Sequence, residues 1–442
     1  MHLPEYVKRI LDVYDAAGYT ALVVGGCVRD SLMGLEPDDY DVAVNALPEE
    51  TKALFPADRI IETGIKHGTL TIMSEGHPVE VTVFRKDGSY TDNRRPSSVT
   101  FTRTFADDAA RRDFTVNAMG YSPKEGTVDL FGGLDDIKKG IIRAVGDPET
   151  RFREDALRIM RAVRFAAKLG FAIEEETERA MFKCKGLLLN ISKERLFSEL
   201  QKTLSGKNCR EALLKYADVI GVFCPAILPM KGFEQNNPYH KYDVLTHTAV
   251  ALSEVKDTPL LKWVTLFHDT GKPLCYTEDE RGGHFYGHAK ISADIAEKAL
   301  SELKAPTALK ESAVKLISVH DIPLEPTERF VKRQLNRLGE ELFLALIDFQ
   351  RADNAAQNEA VAYRREIFDK VEAIARETLA KRECFSLKDL AVKGNDLIAV
   401  GIPKGKLIGR TLDALLEGVL EGRLKNEKET LIKYANNLQN GE

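Results

Sequence analysis

The sequence predicts an α+β protein in which a mixed β-sheet occupies roughly the first third of the chain and helices occupy the rest. Up to about Arg143, short apolar runs such as "ALVVGG" and "DYDVAV" alternate with turns, as expected for strands. Beyond Asp147, apolar residues recur with the 3.6-residue period of a helix, as in "EDALRIMRAVRFAAKLG". At 442 residues, the chain is long enough for roughly two to four domains.

The composition is that of an ordinary globular protein without a membrane segment. Lys and Arg number 63 against 68 Asp and Glu, so the formal charge of −5 gives no reason by itself to expect nucleic-acid binding. No apolar run is long enough to cross a bilayer, and the N-terminus has the pattern of an amphipathic helix rather than a signal peptide. The six cysteines form no C-x-x-C pair, which favours reduced structural thiols. We therefore expect a cytoplasmic protein.

Two aspartates stand one residue apart in the early strand "DDYDVAV". Residues two apart in a strand face the same side, so Asp39 and Asp41 project together, and Glu80 of "HPVEVTVFR" could add a third carboxylate. Hard oxygen ligands suit Mg²⁺, and two such ions can activate a hydroxyl and stabilise a leaving pyrophosphate. The alternatives are a surface turn with solvated acids and, for Glu80, a solvated strand residue.

A glycine pair follows the first strand, in "VVGGCVRD". Gly25 and Gly26 let the backbone approach a phosphate closely, and a helix is expected to begin near Val28. Arg29 could add a charged donor to the same phosphate.

The stretches "GGCVRDSLMG" and "DDYDVAV" together resemble the head domain of the class II tRNA nucleotidyltransferase and bacterial poly(A) polymerase family. "RRDFTVNAMGY" is similar to the family's ribose-recognition motif, which implies that Arg112, Asp113 and Asn117 lie near the ribose and its 2′-hydroxyl. Without the resemblance, the basic pair would indicate a solvated face and Asp113 a helix cap.

The segment "EDALRIMRAVRFAAK" is predicted to be one amphipathic helix. Its apolar stripe comprises Ala156, Ile159, Met160, Val163 and Ala167, and its opposite face carries Glu154, Asp155, Arg158 and Arg161. A carboxylate that accepts from an exocyclic amino group, beside an arginine that donates to a ring nitrogen, would admit cytosine and adenine and reject uracil and guanine. Asp155 and Arg158 could play these parts, as the similar "EDxxR" motif of the family implies. A solvated, salt-bridged face is the alternative.

Two further stretches extend the resemblance. "DGSYTDNRRPSSVTF", from Asp87 to Phe101, is similar to the flexible loop that CCA-adding members use to switch from C to A addition. "ISKERLFSEL" resembles the family's neck helix, with Glu194 and Arg195 at the motif positions, although a capping role for Ser192 is equally compatible.

Most of the histidines lie between residues 240 and 320, in stretches that resemble the HD-domain phosphohydrolases. The resemblance implies a divalent-metal site made of His247, His268, Asp269 and Asp353. His288, His320 and Lys272 are expected as supporting or phosphate-binding groups. The domain could be catalytic or could serve only as scaffold.

The resemblance implies template-independent addition of C, C and A to the 3′ end of tRNA from CTP and ATP, with Mg²⁺ and with neither a membrane nor a protein partner. The predicted divisions are a nucleotidyltransferase head (1–143), a neck that recognises the base (144–205), a body or linker (206–242), an HD domain (243–372) and a tRNA-binding tail (373–442). In the tail, Lys404, Lys406 and Arg410 are candidate phosphate contacts. The alternatives are a CC-adding or A-adding specialist, a poly(A) polymerase, and a metal phosphohydrolase with an RNA-binding head.

Overall fold

A mixed β-sheet forms the first part of the chain, as the alternating apolar runs predict. The computed structural model describes residues 1–65, 68–88 and 98–440. The chain divides into two compact units, Met1–Pro225 and Ala226–Glu442. The division falls within the proline-rich segment 223–243, where the composition predicts a linker.

The strands of the described residues are β1 Ala21–Val24, β2 Asp41–Val44, β3 Ile60–Ile61, β4 Thr69–Ser74, β5 His77–Val83, β6 Arg85–Asp87, β7 Val99–Phe101, β8 Met119–Ser122, β9 Gly126–Asp129, β10 Ile141–Ile142, β11 Ala172–Ile173, β12 Thr277–Asp279 and β13 Gly282–His284. The main sheet has seven of them in the order β3-β4-β5-β2-β1-β8-β9, with β2 and β5 parallel and the other neighbours antiparallel. A separate antiparallel pair, β6 and β7, flanks the loop predicted to switch from C to A addition.

The helices of the first unit bury one apolar face each against the sheet or against one another. In the N-terminal helix, Val7, Ile10 and Tyr14 recur at helical spacing and pack with Val23 and Val42 of the sheet. The helices are α1 Glu5–Ala16, α2 Gly26–Leu32, α3 Pro48–Leu54, α4 Phe105–Ala110, α5 Gly133–Lys139, α6 Pro148–Glu154, α7 Leu157–Leu169, α8 Glu175–Cys184, α9 Lys193–Leu204 and α10 Cys209–Ile220. Short 3₁₀ turns cover Thr115–Asn117 and Lys185–Asn190.

The prediction of one continuous helix over "EDALRIMRAVRFAAK" is wrong, because the chain breaks between α6 and α7. Asp155 is extended, with φ −133° and ψ 102°, and its Oδ1 accepts a hydrogen bond from the Leu157 N–H at 3.1 Å. Aspartate is a good helix cap, so the residue expected inside a helix instead starts a new one. The predicted apolar stripe is confirmed: all five of its residues are fully buried.

The second unit is helical apart from the hairpin β12–β13, which the sequence did not predict. Its core contains Trp263, Phe267, Phe343 and Phe349, all fully buried, and a separate apolar cluster lies at its C-terminal end. Its helices are α11 Val244–Glu254, α12 Pro259–Phe267, α13 His288–Glu302, α14 Thr307–Ile317, α15 Glu328–Leu338, α16 Glu340–Ala355, α17 Arg364–Ala380, α18 Gly394–Ala399, α19 Lys406–Leu420 and α20 Lys428–Asn440. The α+β class is therefore confirmed.

All six cysteines are free thiols, five of them buried, as their spacing predicts. Within the described residues, no helix is long and apolar enough to span a membrane.

Candidate functional site

The predicted head carboxylates lie on neighbouring strands of the main sheet. Asp41 opens β2 and pairs in parallel register with Glu80 of β5, so both side chains emerge on the same face. The prediction that Asp39 lies within this strand is wrong, because β2 begins at Asp41 and Asp39 lies two residues before it. All three residues are exposed to solvent.

The charges around Asp41 show that these carboxylates act on one another. Partial desolvation raises the pKa of Asp41 to about 6, and the negative charges of Asp39 and Glu80 act in the same direction, whereas Arg112 lowers it. A divalent cation would relieve this repulsion, and carboxylate oxygens are the ligands that Mg²⁺ prefers, so the donor set fits the ion. Among the described residues, however, the groups of three candidate ligand atoms lying within 4.8 Å of one another belong to the second unit. The head carboxylates therefore supply negative charge, but the described residues do not form a preorganised metal site there.

The residues of the predicted ribose motif form one buried hydrogen-bond chain. Asp113 Oδ1 accepts from Asn117 Nδ2 at 3.1 Å, and Asp113 Oδ2 accepts from Arg161 Nε at 2.7 Å. Asn117 Oδ1 in turn accepts from Arg29 Nη1 at 2.5 Å, and the Arg29 residue is only 3% exposed. Burial alone would raise the pKa of Asp113, but the charge of Arg161 and the hydrogen bonds from Asn117 and Arg161 lower it to about 2. These four predicted residues thus act as a unit.

Arg112 connects this chain to the glycine turn. Its Nη1 donates to the Asn117 carbonyl at 3.3 Å, and its Nη2 donates to Asp108 Oδ2 at 3.0 Å. Gly25 has φ +81°, and a Cβ there would lie 3.3 Å from Arg112 Nη1. Both the left-handed backbone and this close approach favour glycine. The following helix begins at Gly26, two residues earlier than predicted.

Sequence reasoning missed an aromatic ring at the centre of this region. The guanidinium carbons of Arg29, Arg161 and Arg164 lie 5.1, 5.5 and 4.4 Å from the ring centroid of Phe165. Such contacts hold arginines through the negative face of the ring. The only sequence signal was a phenylalanine among the arginines of α7.

Arg158 and Asp155, which are predicted to recognise the base, form hydrogen bonds with different residues. Arg158 Nη1 donates to Glu154 Oε2 at 2.6 Å and to the Arg151 carbonyl at 3.1 Å, and its Nη2 donates to the Arg111 carbonyl at 2.8 Å. The Arg158 residue is 8% exposed, so a solvated face does not describe it.

Asp155 is held by the neck helix instead. Its Oδ2 accepts from Arg195 Nη2 at 2.9 Å, which joins the predicted neck motif to the predicted base-reading motif. Glu194 of the same motif is exposed.

The second unit brings together the four predicted metal ligands, from α11, the end of α12 and α16. His247 Nε2 lies 2.7 Å from Asp353 Oδ1, and His268 Nε2 lies 3.3 Å from the same oxygen. Asp269 Oδ2 lies 3.1 Å from His268 Nε2 and 3.7 Å from His247 Nε2. We call these four residues the His–Asp cluster.

The electrostatics of the His–Asp cluster favour a cation. Burial alone would lower the pKa of His268, but Asp269 and Asp353 raise it to about 10, so without a metal a proton supplies the positive charge. The pKa values of both aspartates lie well below the usual range despite their burial, because the histidines and Lys272 are close. His268 Nε2 is buried and makes no well-formed hydrogen bond. The donor set and this atom fit a divalent metal.

A cavity of about 590 Å³ opens onto the cluster. Its lining includes Lys272, whose Nζ lies 2.7 Å from Asp269 Oδ2 and donates to Gln235 Oε1 at 2.7 Å. Two exposed aromatic side chains, Tyr286 and Tyr363, also line it. The cavity is large enough for a small phosphate ester.

Two further predictions concern the phosphate contacts of the tail and the loop between Asp87 and Phe101. Lys404, Lys406 and Arg410 are exposed at the start of α19, as a phosphate contact requires. Residues 89–97 of the predicted loop between Asp87 and Phe101 lie outside the described part of the chain.

Three family models match the chain. Residues 21–143 match the poly A polymerase head domain, residues 170–219 match a probable RNA and SrmB-binding site of polymerase A, and residues 284–435 match the putative tRNA nucleotidyltransferase domain 2.

Curated relatives match the chain over almost its whole length. The CCA-adding enzyme of Limosilactobacillus fermentum is 34% identical over 98% of this chain and 97% of its own. That of Geobacillus kaustophilus is 36% identical over 94% of this chain and 93% of its own.

Solved structures of CCA-adding enzymes also match the chain over almost its whole length. The Bacillus stearothermophilus CCA-adding enzyme in complex with CTP superposes with a TM-score of 0.75, at 30% identity, over 100% of this chain and 99% of its own. The Thermotoga maritima CCA-adding enzyme complexed with tRNA shares the fold, with a TM-score of 0.56 at 22% identity over 99% of this chain and 96% of its own. With full-length identity above 30% to several of its members, the chain belongs to the family of CCA-adding enzymes, which are tRNA nucleotidyltransferases.

Proposed function

We propose that this chain adds C, C and A in order to the 3′ end of tRNA, using CTP and ATP and releasing pyrophosphate, without a nucleic-acid template. The observation that carries the proposal is the position of Arg112. Its side chain bonds the ribose-motif network through the Asn117 carbonyl, and its charge also acts on Asp41. A nucleotide held by the network would therefore lie beside the three head carboxylates. A tRNA substrate also implies a cytoplasmic location.

Asp39, Asp41 and Glu80 would hold Mg²⁺ at this position. When bound, Mg²⁺ supplies the positive charge that favours attack by the tRNA 3′-hydroxyl on the α-phosphate and departure of pyrophosphate. Gly25 and Gly26 let the triphosphate approach the backbone, and Arg112 neutralises part of its charge. Asp113 and Asn117, fixed by Arg161 and Arg29, present polar atoms to the ribose.

Asp155 and Arg158 would serve as the template. A guanidinium has five N–H groups, and Arg158 uses three in the hydrogen bonds described above. Each oxygen of Asp155 accepts one hydrogen bond and retains a second lone pair. The pair can therefore accept from the amino group and donate to the ring nitrogen of cytosine or adenine, whereas uracil or guanine would leave polar groups unpaired.

A gel assay with Mg²⁺ tests the proposal. Transcripts of tRNA that end before CCA, after C or after CC receive CTP, ATP, UTP or GTP singly and together. Ordered addition that stops at CCA is expected. Addition of only C or only A would instead indicate a specialist, A-tailing of any RNA would indicate a poly(A) polymerase, and no addition would refute nucleotidyl transfer.

A second candidate function belongs to the second unit, and the buried His–Asp cluster at the cavity favours it. We propose that this unit hydrolyses phosphate esters, with His247, His268, Asp269 and Asp353 holding a divalent metal. When bound, the metal supplies an activated water and charge for the phosphate. Lys272 would neutralise part of the phosphate charge. Release of phosphate or nitrophenol from 2′,3′-cyclic nucleotides and nitrophenyl phosphates, after loading with Mn²⁺, Co²⁺ or Ni²⁺, tests this function.

A further inference from the structure

Three arginines of the first unit share the ring of Phe165 as a contact. Arg161 and Arg164 lie on α7 together with the ring, whereas Arg29 reaches it from α2. The guanidinium carbons all lie within 5.5 Å of the ring centroid, and the Phe165 residue is only 5% exposed. A cation over the face of an aromatic ring gains more when it is desolvated than when it is exposed. The ring is therefore a substantial contact for all three arginines.

Each of the three arginines also pairs with a carboxylate of its own. The separations are 2.6 Å between Arg29 Nη2 and Asp30 Oδ1, 2.7 Å between Arg161 Nε and Asp113 Oδ2, and 3.2 Å between Arg164 Nε and Glu199 Oε2. Separate carboxylates balance the positive charges but do not bring the three guanidinium groups together. The guanidinium groups repel one another in a site with little water. The shared ring face offsets this repulsion and explains why the three groups lie so close together.

Two of these arginines hold the side chains of the ribose motif. Arg29 donates to the amide oxygen of Asn117, and Arg161 donates to the carboxylate of Asp113, as described above. The two arginines come from different helices and bind opposite ends of the hydrogen-bonded pair of Asp113 and Asn117. A ring that contacts both arginines therefore fixes the distance between the two donors that orient this pair.

A second aromatic contact connects the ring to the backbone of the ribose motif. Phe114, which follows Asp113 in the chain, is fully buried and meets Phe165 edge to face, with ring centroids 5.8 Å apart and ring planes at 84°. The Phe114 N–H donates to Asp113 Oδ1 at 2.8 Å. Edge-to-face packing restricts how two rings can be arranged. Phe165 therefore orients the backbone beside Asp113 as well as the arginines that bind the motif.

We propose that Phe165 is a positioning residue for ribose recognition. Its ring holds Arg29 and Arg161, and these arginines fix the carboxylate and the amide that meet the ribose in the proposed function. A 2′-deoxyribonucleotide lacks the 2′-hydroxyl and gains less from this arrangement. The inference deepens the proposed nucleotidyl transfer and rests on it for the role of Asp113 and Asn117. The preference for ribose can be measured as binding, without tRNA and without turnover.

The test compares the binding of CTP and dCTP to the full-length chain. Isothermal titration calorimetry with Mg²⁺ gives both dissociation constants, and their ratio measures the preference for ribose. Phe165→Leu keeps a buried apolar side chain but loses the ring face, so this ratio should fall about tenfold, mainly through weaker binding of CTP. Phe165→Tyr keeps the ring face and should keep the native ratio. An unchanged ratio in Phe165→Leu would overturn the proposal.

Two further measurements separate the ring face from general packing. Phe55→Leu is the matched control, because Phe55 is a buried ring of the first unit that packs against Tyr14 in the apolar core, and the native ratio should remain. Phenylalanine analogues with increasing numbers of ring fluorines, incorporated at position 165, keep the ring and weaken its negative face stepwise. The preference for ribose should fall with each added fluorine. The absence of this trend would refute the proposal even if Phe165→Leu failed to fold.

The binding test is separable from the test of nucleotidyl transfer. If Phe165→Leu loses the preference for ribose but the native chain adds no nucleotide to tRNA, the positioning role is supported and the transfer is refuted. If the native chain adds C, C and A but binds CTP and dCTP equally well, the positioning role is refuted and the transfer is kept.

Discussion

The head carboxylates and the His–Asp cluster differ in how far they are preorganised to bind a metal. In the head, three acidic side chains are exposed and repel one another. In the second unit, the imidazoles and the Asp269 carboxylate are buried, the Asp353 carboxylate is half-buried, and all lie at ligand-to-ligand distances. Mg²⁺ keeps several waters and is usually completed by substrate phosphates, whereas imidazole sites hold transition metals without substrate. We therefore expect the head to acquire its metal together with the nucleotide, and the second unit to bind its metal without substrate.

The largest expected effect comes from removing either site. Asp39→Ala/Asp41→Ala should lower nucleotide addition by about 10³-fold or more, because the metal would lose two of its three proposed carboxylate ligands, while ester hydrolysis survives. His268→Ala/Asp269→Ala should lower ester hydrolysis and leave nucleotide addition intact. Both activities are measured on the same preparations.

A loss of both activities in one variant would show general misfolding or a shared site. Glu36→Ala, which removes an exposed acid near the head pair, is the matched control and should change neither activity.

The next largest effect is expected after metal removal by a chelator, because the two activities should recover with different metals. After dialysis against EDTA, millimolar Mg²⁺ alone should restore nucleotide addition at once, because the substrate completes that site. Ester hydrolysis should stay about 10²-fold lower until Mn²⁺, Co²⁺ or Ni²⁺ is added, since imidazole ligands prefer these metals. Equal recovery of both activities with Mg²⁺ would contradict the comparison.

Base selection should show a smaller change. Arg158→Ala removes the donor to the ring nitrogen, so the preference for CTP and ATP over UTP and GTP should fall by about a hundredfold at most. The KM for the triphosphate should change less than this preference. Single-turnover rates with each nucleotide measure both.

Arg158→Lys keeps the positive charge but loses the planar set of guanidinium N–H donors, so it should also lose nucleotide selectivity. Arg153→Ala, on the exposed side of α6, is the control and should leave selection intact. An unchanged nucleotide preference in Arg158→Ala would refute the templating role.

Periodicity and composition were enough to predict the α+β class and the buried stripe of α7. These are local properties, set by which side of a helix or strand meets the core. The break at Asp155 was missed because a capping aspartate and a helical aspartate give nearly the same pattern.

The partners of the site residues could not be predicted in the same way. Arg195 meets Asp155 across 40 residues of sequence, and His247 meets Asp353 across 106. Such contacts depend on how helices pack, which no local period records. The same holds for His288 and His320, whose Nε2 atoms face each other across 3.2 Å, since a sequence shows the histidines but not which way their ring nitrogens point.

The smallest predicted effect concerns stability rather than catalysis. The pKa of Asp113 falls from an unfolded value of about 3.9 to about 2 in the fold, so its charged form stabilises the protein by about 3 kcal/mol at pH 7. Asp113→Asn should lose this contribution, whereas Asp135→Asn, on the exposed side of α5, should show no measurable change. Unfolding in urea should be followed by far-UV circular dichroism, because the single tryptophan, Trp263, lies in the second unit.

The pH dependence distinguishes the charge of Asp113 from its shape. Since the folded pKa is the lower one, the stabilisation is complete above about pH 4 and is lost as the pH falls to about 2. The stability difference between the native chain and Asp113→Asn should therefore be constant from pH 7 to pH 5 and shrink below pH 4. A difference that persists unchanged at pH 2.5 would mean that the asparagine disturbs packing around Arg161 and Asn117, and that the buried ion pair is not what stabilises this part of the head.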